Sequence, residues 1–476
     1  MNFVTLQFVL FFLPALWCCW YTRRWHFIHL VTLLVCNYFF YSHAGLWGLA
    51  VLVLVSTTAY FSAILLSRRQ AQQKRKRIVF FAVSLCVVLL ALFKYHEFLL
   101  ETAQNICVFL GFPSDVGKVL ENNFVSIAGI SFFTFQAISY IVDVYRRDIQ
   151  AAYGFWEVFA YVSFFPTVMS GPIMRAPAFM EQLDRPLRDT VAFQEGFLLI
   201  LSGLFKKVVL SSYLSEHIVR HVFAAPENYS SVAVAIGVYG YAIQIYCDFS
   251  GYTDLALGIG RLMGYKLPPN FKSPYLACSL KDFWHRWHIS LSEWLKDYVY
   301  ISLGGNRSGN IYVNNMLTML IGGLWHGSSW TFVIWGGLHG LGLVLQVAFT
   351  ALRRKNATIH PQQTTLWKKA ITWMLTFHVV CLLWVFFRAD SLERAFAIFQ
   401  KLTECSMGGE GFPLFAIFAI CLGFFIQVWG QNCYMLCTRL QAHLPWQAQG
   451  VAVGMGVTII MAMGPDGVLP FIYFRF

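Results

Sequence analysis

Apolar stretches of about 20 residues recur along almost the whole chain, and this feature constrains the fold more than any other. A helix that crosses a membrane needs about 20 mostly apolar residues. Thirteen candidate spans of this kind lie at about 3–21, 27–41, 45–66, 78–100, 124–145, 155–173, 191–210, 230–260, 311–325, 328–350, 370–387, 412–430 and 449–464. Only 12% of the residues are charged, about half the share of a soluble globular chain. The sequence therefore predicts an all-α polytopic membrane protein.

Cations are concentrated in a few of the connections between these stretches. The chain has 35 Lys and Arg against 23 Asp and Glu, which gives a formal net charge of +12. The basic connections are 22–26, 68–77, 146–153, 265–310 and 351–369, whereas 101–123 is almost free of cations. Cytoplasmic loops of membrane proteins carry such an excess. We expect the basic connections to face the cytoplasm, and the positive charge then requires no nucleic-acid partner.

The alternation of basic and cation-poor loops predicts about twelve crossings, with the N-terminus outside. Three apolar segments separate 146–153 from 265–310, but both of these loops are basic, so an even number of crossings is required. Pro166 and Pro172 interrupt the segment 155–173. Broken backbone at membrane depth needs protein or a cavity around it, so this segment is predicted to be re-entrant or only half-spanning. An even total returns the C-terminus to the outside.

The chain is predicted to form a single membrane domain over residues 1–476. It comprises N-terminal helices at 1–123, a core at 124–350 that includes a cytoplasmic amphipathic segment at 265–310, and C-terminal helices at 351–476 with an aromatic tail at 466–476. Between Ser279 and Leu303, apolar residues at helical spacing alternate with charges. This pattern predicts an amphipathic helix on or in the cytoplasmic face.

His326 is the first candidate for chemistry. It lies in Leu324-Trp-His-Gly-Ser-Ser-Trp330, and no charged residue occurs from Ser308 to Leu352. A desolvated, neutral histidine offers a basic ring nitrogen near neutral pH, which suits a general base. The alternative is a hydrogen-bonded packing histidine.

A second group of polar residues surrounds His288. His285 and His288 are three residues apart, but no third ligand is apparent, so no metal site is predicted. Tryptophans interleaved with Arg286 and Lys296 indicate either a site for an anionic, partly apolar ligand or an anchor at the level of the lipid headgroups.

Six motifs follow one another along the chain. They are Asp248-Phe-Ser-Gly-Tyr-Thr-Asp254, Pro269-Asn-Phe-Lys-Ser-Pro-Tyr275, Phe283-Trp-His-Arg-Trp-His-Ile-Ser-Leu-Ser292, Leu303-Gly-Gly-Asn-Arg307, Gly323-Leu-Trp-His-Gly327 and Phe386-Phe-Arg-Ala389. In this order they resemble the membrane-bound O-acyltransferase family, and within it the bacterial membrane subunits that O-acetylate alginate, peptidoglycan and cellulose. The resemblance implies a helical ring with a central tunnel, His326 as the catalytic histidine, His288 as the second polar residue, and an acyl donor that enters from the cytoplasm. Many eukaryotic relatives have Asn at the position of His288.

The aromatic tail 466–476 has two interpretations. It fits an interfacial aromatic belt. It also resembles the C-terminal motif of the small membrane peptide that accompanies teichoic-acid D-alanylation, and this resemblance implies that Tyr473 carries the acyl group.

Together these features predict a membrane O-acetyltransferase of the bacterial inner membrane. Acetyl-CoA is the expected donor, with no permanently bound cofactor, and Lys281, Arg286, Lys296 and Arg307 are candidate phosphate partners because of their charge. We expect the acetyl group to pass to a periplasmic acetyltransferase partner that modifies peptidoglycan or an alginate-like exopolysaccharide. The alternatives are a transporter or flippase, and a non-catalytic scaffold of a polysaccharide-modifying complex.

Overall fold

A computed structural model describes residues 1–110, 127–184, 190–356, 365–407 and 414–464. All regular secondary structure in these ranges is helical. The α-helices are α1 Leu6–Thr22, α2 His26–Ser42, α3 Leu46–Arg68, α4 Gln72–Lys94, α5 His96–Phe109, α6 Ile130–Arg146, α7 Phe155–Ser163, α8 Phe165–Val168, α9 Ala176–Asp184, α10 Thr190–Leu204, α11 Ser212–Leu214, α12 Arg220–Ala224, α13 Ser231–Leu262, α14 Leu280–Trp284, α15 Ile289–Trp294, α16 Ile311–His326, α17 Trp330–Asn356, α18 Leu366–Arg388, α19 Leu392–Thr403, α20 Leu414–Ala442 and α21 Trp446–Met463. π-Helical turns occupy Phe205–Ser211, Ser215–Val219 and Leu295–Tyr300, and short 3₁₀ turns occupy Pro226–Asn228 and Pro274–Leu276.

Eight helices among the described residues are long and apolar enough to cross a membrane. They are Leu46–Arg68, Gln72–Lys94, Phe193–Ala224, Ser231–Leu262, Trp330–Arg353, Leu366–Arg388, Leu414–Ala442 and Trp446–Met463. The helices α1 and α2 are apolar but shorter, with 17 residues each. The prediction of an all-α polytopic membrane protein is confirmed, and the count of twelve crossings stays a prediction.

The chain forms two compact units. The first contains residues 1–196 and 256–268, and the second contains residues 197–255 and 269–476. In the first unit α3 packs against α2, α4, α6 and α7. In the second, α17 packs against α16 and α18.

The proline-containing segment of the first unit is broken, as its sequence predicts. Helix α7 ends at Ser163, and only the short α8 follows before the backbone leaves helical geometry. The fully buried Asn37 supports this break: its side chain accepts a hydrogen bond from Phe165 N at 3.1 Å and donates to Ala160 O at 3.3 Å. A buried amide therefore satisfies backbone groups that a continuous helix would have paired.

Arg75 has a structural role that its position in a basic run does not reveal. Helix α3 ends at Arg68 and α4 begins at Gln72, so only three residues of the run 68–77 connect the two helices. The buried Arg75 guanidinium donates to Leu66 O, to Val144 O at 3.0 Å and to Tyr145 O at 2.7 Å. One cation thus binds the carbonyl ends of α3 and α6, where the helix dipole is negative.

Two buried ion pairs join the π-helical turn after α10 to α13 within the second unit. Lys207 Nζ lies 2.5 Å from Asp248 Oδ1, and Lys206 Nζ lies 2.6 Å from Asp254 Oδ2. Asp254 also accepts a hydrogen bond from Ser202 at 2.8 Å. Both carboxylates of the motif that begins at Asp248 are therefore neutralised by adjacent lysines, as buried charges require.

The predicted amphipathic helix over Ser279 to Leu303 is wrong. The structure divides it into α14, a turn, α15 and a π-helical turn, because His288 adopts the left-handed conformation with φ 43° and ψ 55°. A right-handed helix cannot continue through such a residue. Part of the segment lies in the interior of the second unit, since Trp287, His288 and Leu291 are fully buried.

Candidate active site

His326 is the last residue of α16 and is almost fully buried. Two glycines allow the backbones of α16 and α17 to approach each other just before this point: a Cβ atom on Gly336 would lie 2.5 Å from Met319 O and 3.0 Å from the Cα atom of Gly323. Close packing through small residues is typical of membrane helices. It holds the end of α16, and with it His326, against α17.

His288 lies directly before α15 and is fully buried. Phe249 of α13 meets its imidazole edge-on, with the ring centroids 4.6 Å apart. The ring centroid of Trp325 lies 5.5 Å from that of His288. Although His285 is only three residues earlier, its side chain is exposed, so the two histidines do not share a face as a metal-binding pair would.

The structure brings the two predicted histidines together. The centroids of the His288 and His326 rings are 6.4 Å apart, although the residues are 38 positions apart in the sequence. Trp335 and Phe387 meet His326 edge-on at 5.0 and 5.1 Å. The pair therefore lies inside an enclosure of aromatic rings, which excludes water and strengthens electrostatic interactions.

A third histidine, His339, belongs to the same enclosure and is missing from the sequence-based prediction. It is fully buried on α17, and its ring centroid lies 4.8 Å from that of Trp335. The indole of Trp284 donates a hydrogen bond to His339 Nδ1 at 3.3 Å. Nδ1 is then the acceptor, so Nε2 carries the proton of the neutral ring and is a donor. The sequence signal was available, because His339 lies in the same uncharged stretch as His326.

Burial sets the protonation state of His288. Desolvation lowers the pKa of its imidazole from 6.5 to about 3, because the charged form is disfavoured away from water. His288 is therefore neutral at physiological pH and presents one donor and one acceptor nitrogen. A neutral imidazole next to His326 can orient a carbonyl group or donate a hydrogen bond to an oxyanion.

The four predicted phosphate partners lie outside this enclosure. Lys281, Lys296 and Arg307 are exposed. Arg286 is half-buried and pairs with Asp282, with 2.7 Å between Nε and Oδ1. Tyr473 lies outside the described residues. Within the described ranges, no group of three or more His, Cys, Asp or Glu side chains is placed to hold a metal ion.

The fold and the site together define a class of protein: an all-helical membrane protein with a buried pair of histidines enclosed by aromatic rings. The chain belongs to the membrane-bound O-acyltransferase family, whose sequence model matches residues 35–387. It is thus a multi-pass membrane protein and an acyltransferase, which decides against the transporter and scaffold alternatives.

Several relatives match about two thirds of the chain or more. It is 35% identical over 410 residues to the probable alginate O-acetylase AlgI of Pseudomonas aeruginosa, a match that covers 84% of this chain and 75% of that protein. It is 32% identical to the peptidoglycan O-acetyltransferase of Helicobacter pylori, over 78% of this chain and 73% of the relative. It is 29% identical to the teichoic acid D-alanyltransferase of Streptococcus thermophilus, over 67% and 78% of the two chains.

Proposed function

We propose that this protein takes acetyl groups from cytoplasmic acetyl-CoA and delivers them across the membrane for O-acetylation of an exported or periplasmic polysaccharide. The observation that carries the proposal is the proximity of His326 and His288, whose ring centroids are 6.4 Å apart in a buried enclosure. Similarity to alginate and peptidoglycan O-acetyltransferases supports acetyl as the group transferred and a polysaccharide as the final acceptor.

His326 acts as the general base in this proposal. It removes the proton from the accepting hydroxyl while the hydroxyl oxygen attacks the carbonyl carbon of the thioester. His288 orients the donor or stabilises the oxyanion that forms on the carbonyl oxygen. When the bond between carbon and sulfur breaks, protonated His326 returns the proton to the departing thiolate. The products are an acetyl ester and CoA with a free thiol, so the step needs no metal ion and no oxidant.

The donor is proposed to bind from the cytoplasmic face through its phosphates. Lys281, Lys296 and Arg307 are exposed and available for charge-assisted hydrogen bonds to phosphate oxygens. Arg286 contributes only if a phosphate competes with Asp282 for its guanidinium.

The acceptor is proposed to lie on the outer side of the bacterial inner membrane, where both chain termini are expected. CoA is large and multiply charged and should not cross an apolar core. An acyl carrier on the chain would solve this problem, and Tyr473 in the aromatic tail is the residue that we propose for it. The tyrosine would pass acetyl to a periplasmic acetyltransferase partner, which modifies peptidoglycan or an alginate-like exopolysaccharide.

The variant His326→Ala tests the proposal. It should lower acetyl transfer by roughly 10²- to 10⁴-fold, the contribution of a general base. The measurement is the ester-linked acetate released from peptidoglycan and from exopolysaccharide of cells that contain equal amounts of each variant in the membrane. His378→Ala is a matched control, because His378 is an exposed histidine on α18 whose Nδ1 lies 2.7 Å from Met374 O, one turn earlier on the same helix.

Unchanged acetate in both polysaccharides with His326→Ala would contradict the proposal. Loss of acetate from one polysaccharide alone would identify the acceptor.

A further inference from the structure

The left-handed backbone of His288 needs support from its surroundings. Few residues other than glycine adopt a positive φ, and a histidine held at φ 43° inside a buried site is a strained element that neighbouring groups must stabilise. The direction of the imidazole depends on this backbone conformation, because the φ and ψ angles of His288 set the direction of its Cα–Cβ bond. Whatever stabilises the conformation therefore also positions the ring against Phe249 and His326.

A loop from the motif that begins at Pro269 brackets His288 on both sides. Before the histidine, Lys272 N donates to Arg286 O at 3.0 Å; after it, Ile289 N donates to Asn270 O at 3.0 Å. These two bonds use only backbone atoms, so they do not explain which side chains the loop needs.

The side chain of Asn270 adds contacts that only an acceptor of its length can make. Its Oδ1 accepts hydrogen bonds from Ser290 N at 3.3 Å and from Ser290 Oγ at 2.6 Å. Its Nδ2 lies 3.5 Å from Thr253 Oγ1 on α13, the helix that also supplies Phe249. Asn270 is fully buried, so water cannot replace these bonds.

We infer that Asn270 is a positioning residue for acyl transfer, which holds His288 in its left-handed conformation and links it to α13. Because the first turn of α15 starts at Ile289, the bonds to Ser290 also cap this turn. Loss of the amide oxygen releases the turn and allows His288 to relax toward a right-handed conformation. The imidazole then leaves its place beside His326, and a displacement of about 1 Å at a reacting centre lowers the rate by about 10²-fold.

The inference rests on the proposed acetyl transfer, and its test uses the full-length protein in membrane vesicles with acetyl-CoA as the probe. The rate of CoA release is measured for wild type, Asn270→Ala, Asn270→Asp, His288→Asn and the double variant Asn270→Ala with His288→Asn. Asn270→Ala should lower kcat by about 10²-fold without changing the KM for acetyl-CoA. In the His288→Asn background the same change should have no further effect, because the ring that Asn270 positions is already absent. Asn270→Asp keeps an acceptor oxygen, and in this fully buried site its carboxyl group should be protonated and therefore also able to donate to Thr253 Oγ1, so the variant should retain most of the activity.

Asn37→Ala is the matched control for a merely structural loss. Asn37 is equally buried and also accepts a backbone N–H on Oδ1, but it belongs to the first unit. Asn37→Ala should lower kcat by the same factor in the wild-type protein and in the His288→Asn variant.

Three results would overturn the role of Asn270: wild-type kcat in Asn270→Ala, a loss that multiplies with that of His288→Asn, or an equal loss in Asn270→Asp and Asn270→Ala at equal amounts of folded protein. If His288→Asn has no measurable turnover, the comparison of Asn270→Asp with Asn270→Ala alone decides the role of Asn270. Failure of the proposed function is distinguished separately, since CoA release by His326→Ala at the wild-type rate would reject acyl transfer itself.

Discussion

Replacement of Asp248 by leucine removes the carboxylate that lies 2.5 Å from Lys207 Nζ. The two side chains are 7% and 1% exposed, so water cannot solvate the ammonium group that remains. Removal of one partner from a buried ion pair costs about 3–5 kcal/mol of stability, which lowers the folded-to-unfolded ratio by roughly 10²-fold to several 10³-fold. Because Phe249 is next in the chain and contacts His288, activity should fall together with stability.

The double variant Asp248→Leu with Lys207→Met separates the ion pair from the packing around it. An apolar pair of similar volume often replaces a buried ion pair with little loss of stability. We expect the double variant to lie within about 1.5 kcal/mol of wild type and to be more stable than either single variant. The assay is unfolding by sodium dodecyl sulfate in mixed micelles, followed by the fluorescence of the 16 tryptophans.

Asp254→Leu is the internal comparison, because Lys206 and Asp254 are 9% and 18% exposed. Greater access to solvent should make this substitution milder than Asp248→Leu. A double variant at Lys207 and Asp248 that loses as much stability as the two single variants combined would refute the role assigned to their charges.

Three further outcomes are expected. Acidification from pH 7 to pH 5 should destabilise wild type by about 2 kcal/mol more than His288→Asn in the same unfolding assay. The reason is that the histidine takes up a proton in the unfolded state below its pKa of 6.5, whereas the buried histidine of the folded state has a pKa of about 3 and does not. Equal pH dependence of the two proteins would show that His288 is solvated. Labelling of engineered cysteines in intact cells should place 68–77 and 351–369 inside and 101–123 outside, and outside labelling at 351–369 would break the twelve-crossing topology. Tyr473→Phe should block polysaccharide acetylation as fully as His326→Ala, whereas wild-type acetylation would leave the tail as an interfacial anchor.

The sequence predicts long apolar helices well because hydropathy is a property of consecutive residues. The candidate at 45–66 corresponds to α3, Leu46–Arg68, which is long and apolar enough to cross a membrane, and the prolines in 155–173 indicate the end of α7 at Ser163. His326 could be recognised for the same reason, as a titratable residue isolated in an apolar stretch. These features depend on neighbours in the sequence.

The parts that could not be predicted depend on contacts between distant residues. Nothing next to His288 requires a left-handed backbone; the groups that stabilise it come from Asn270, 18 positions earlier. His339 joins the site through Trp284, which is 55 positions away. Arg75 is one of several cations in its run, and its hydrogen bonds to the distant carbonyls of Val144 and Tyr145 cannot be read from that run. Periodicity and composition carry no information on such pairs.

The π-helical turns at Phe205–Ser211 and Ser215–Val219 have a consequence for chain length. A π turn contains one more residue than an α turn, so each stretch stores an inserted residue inside a helix that otherwise continues. Deletion of one residue from 208–211 should therefore convert this stretch into an α-helix and keep the residues on either side in register, whereas deletion of one residue from the α-helical part of α10 would rotate the residues before it by about 100° relative to Lys206 and Lys207. Among homologous chains, single-residue deletions in this helix should therefore occur in the two π-helical turns and not in the α-helical turns of α10.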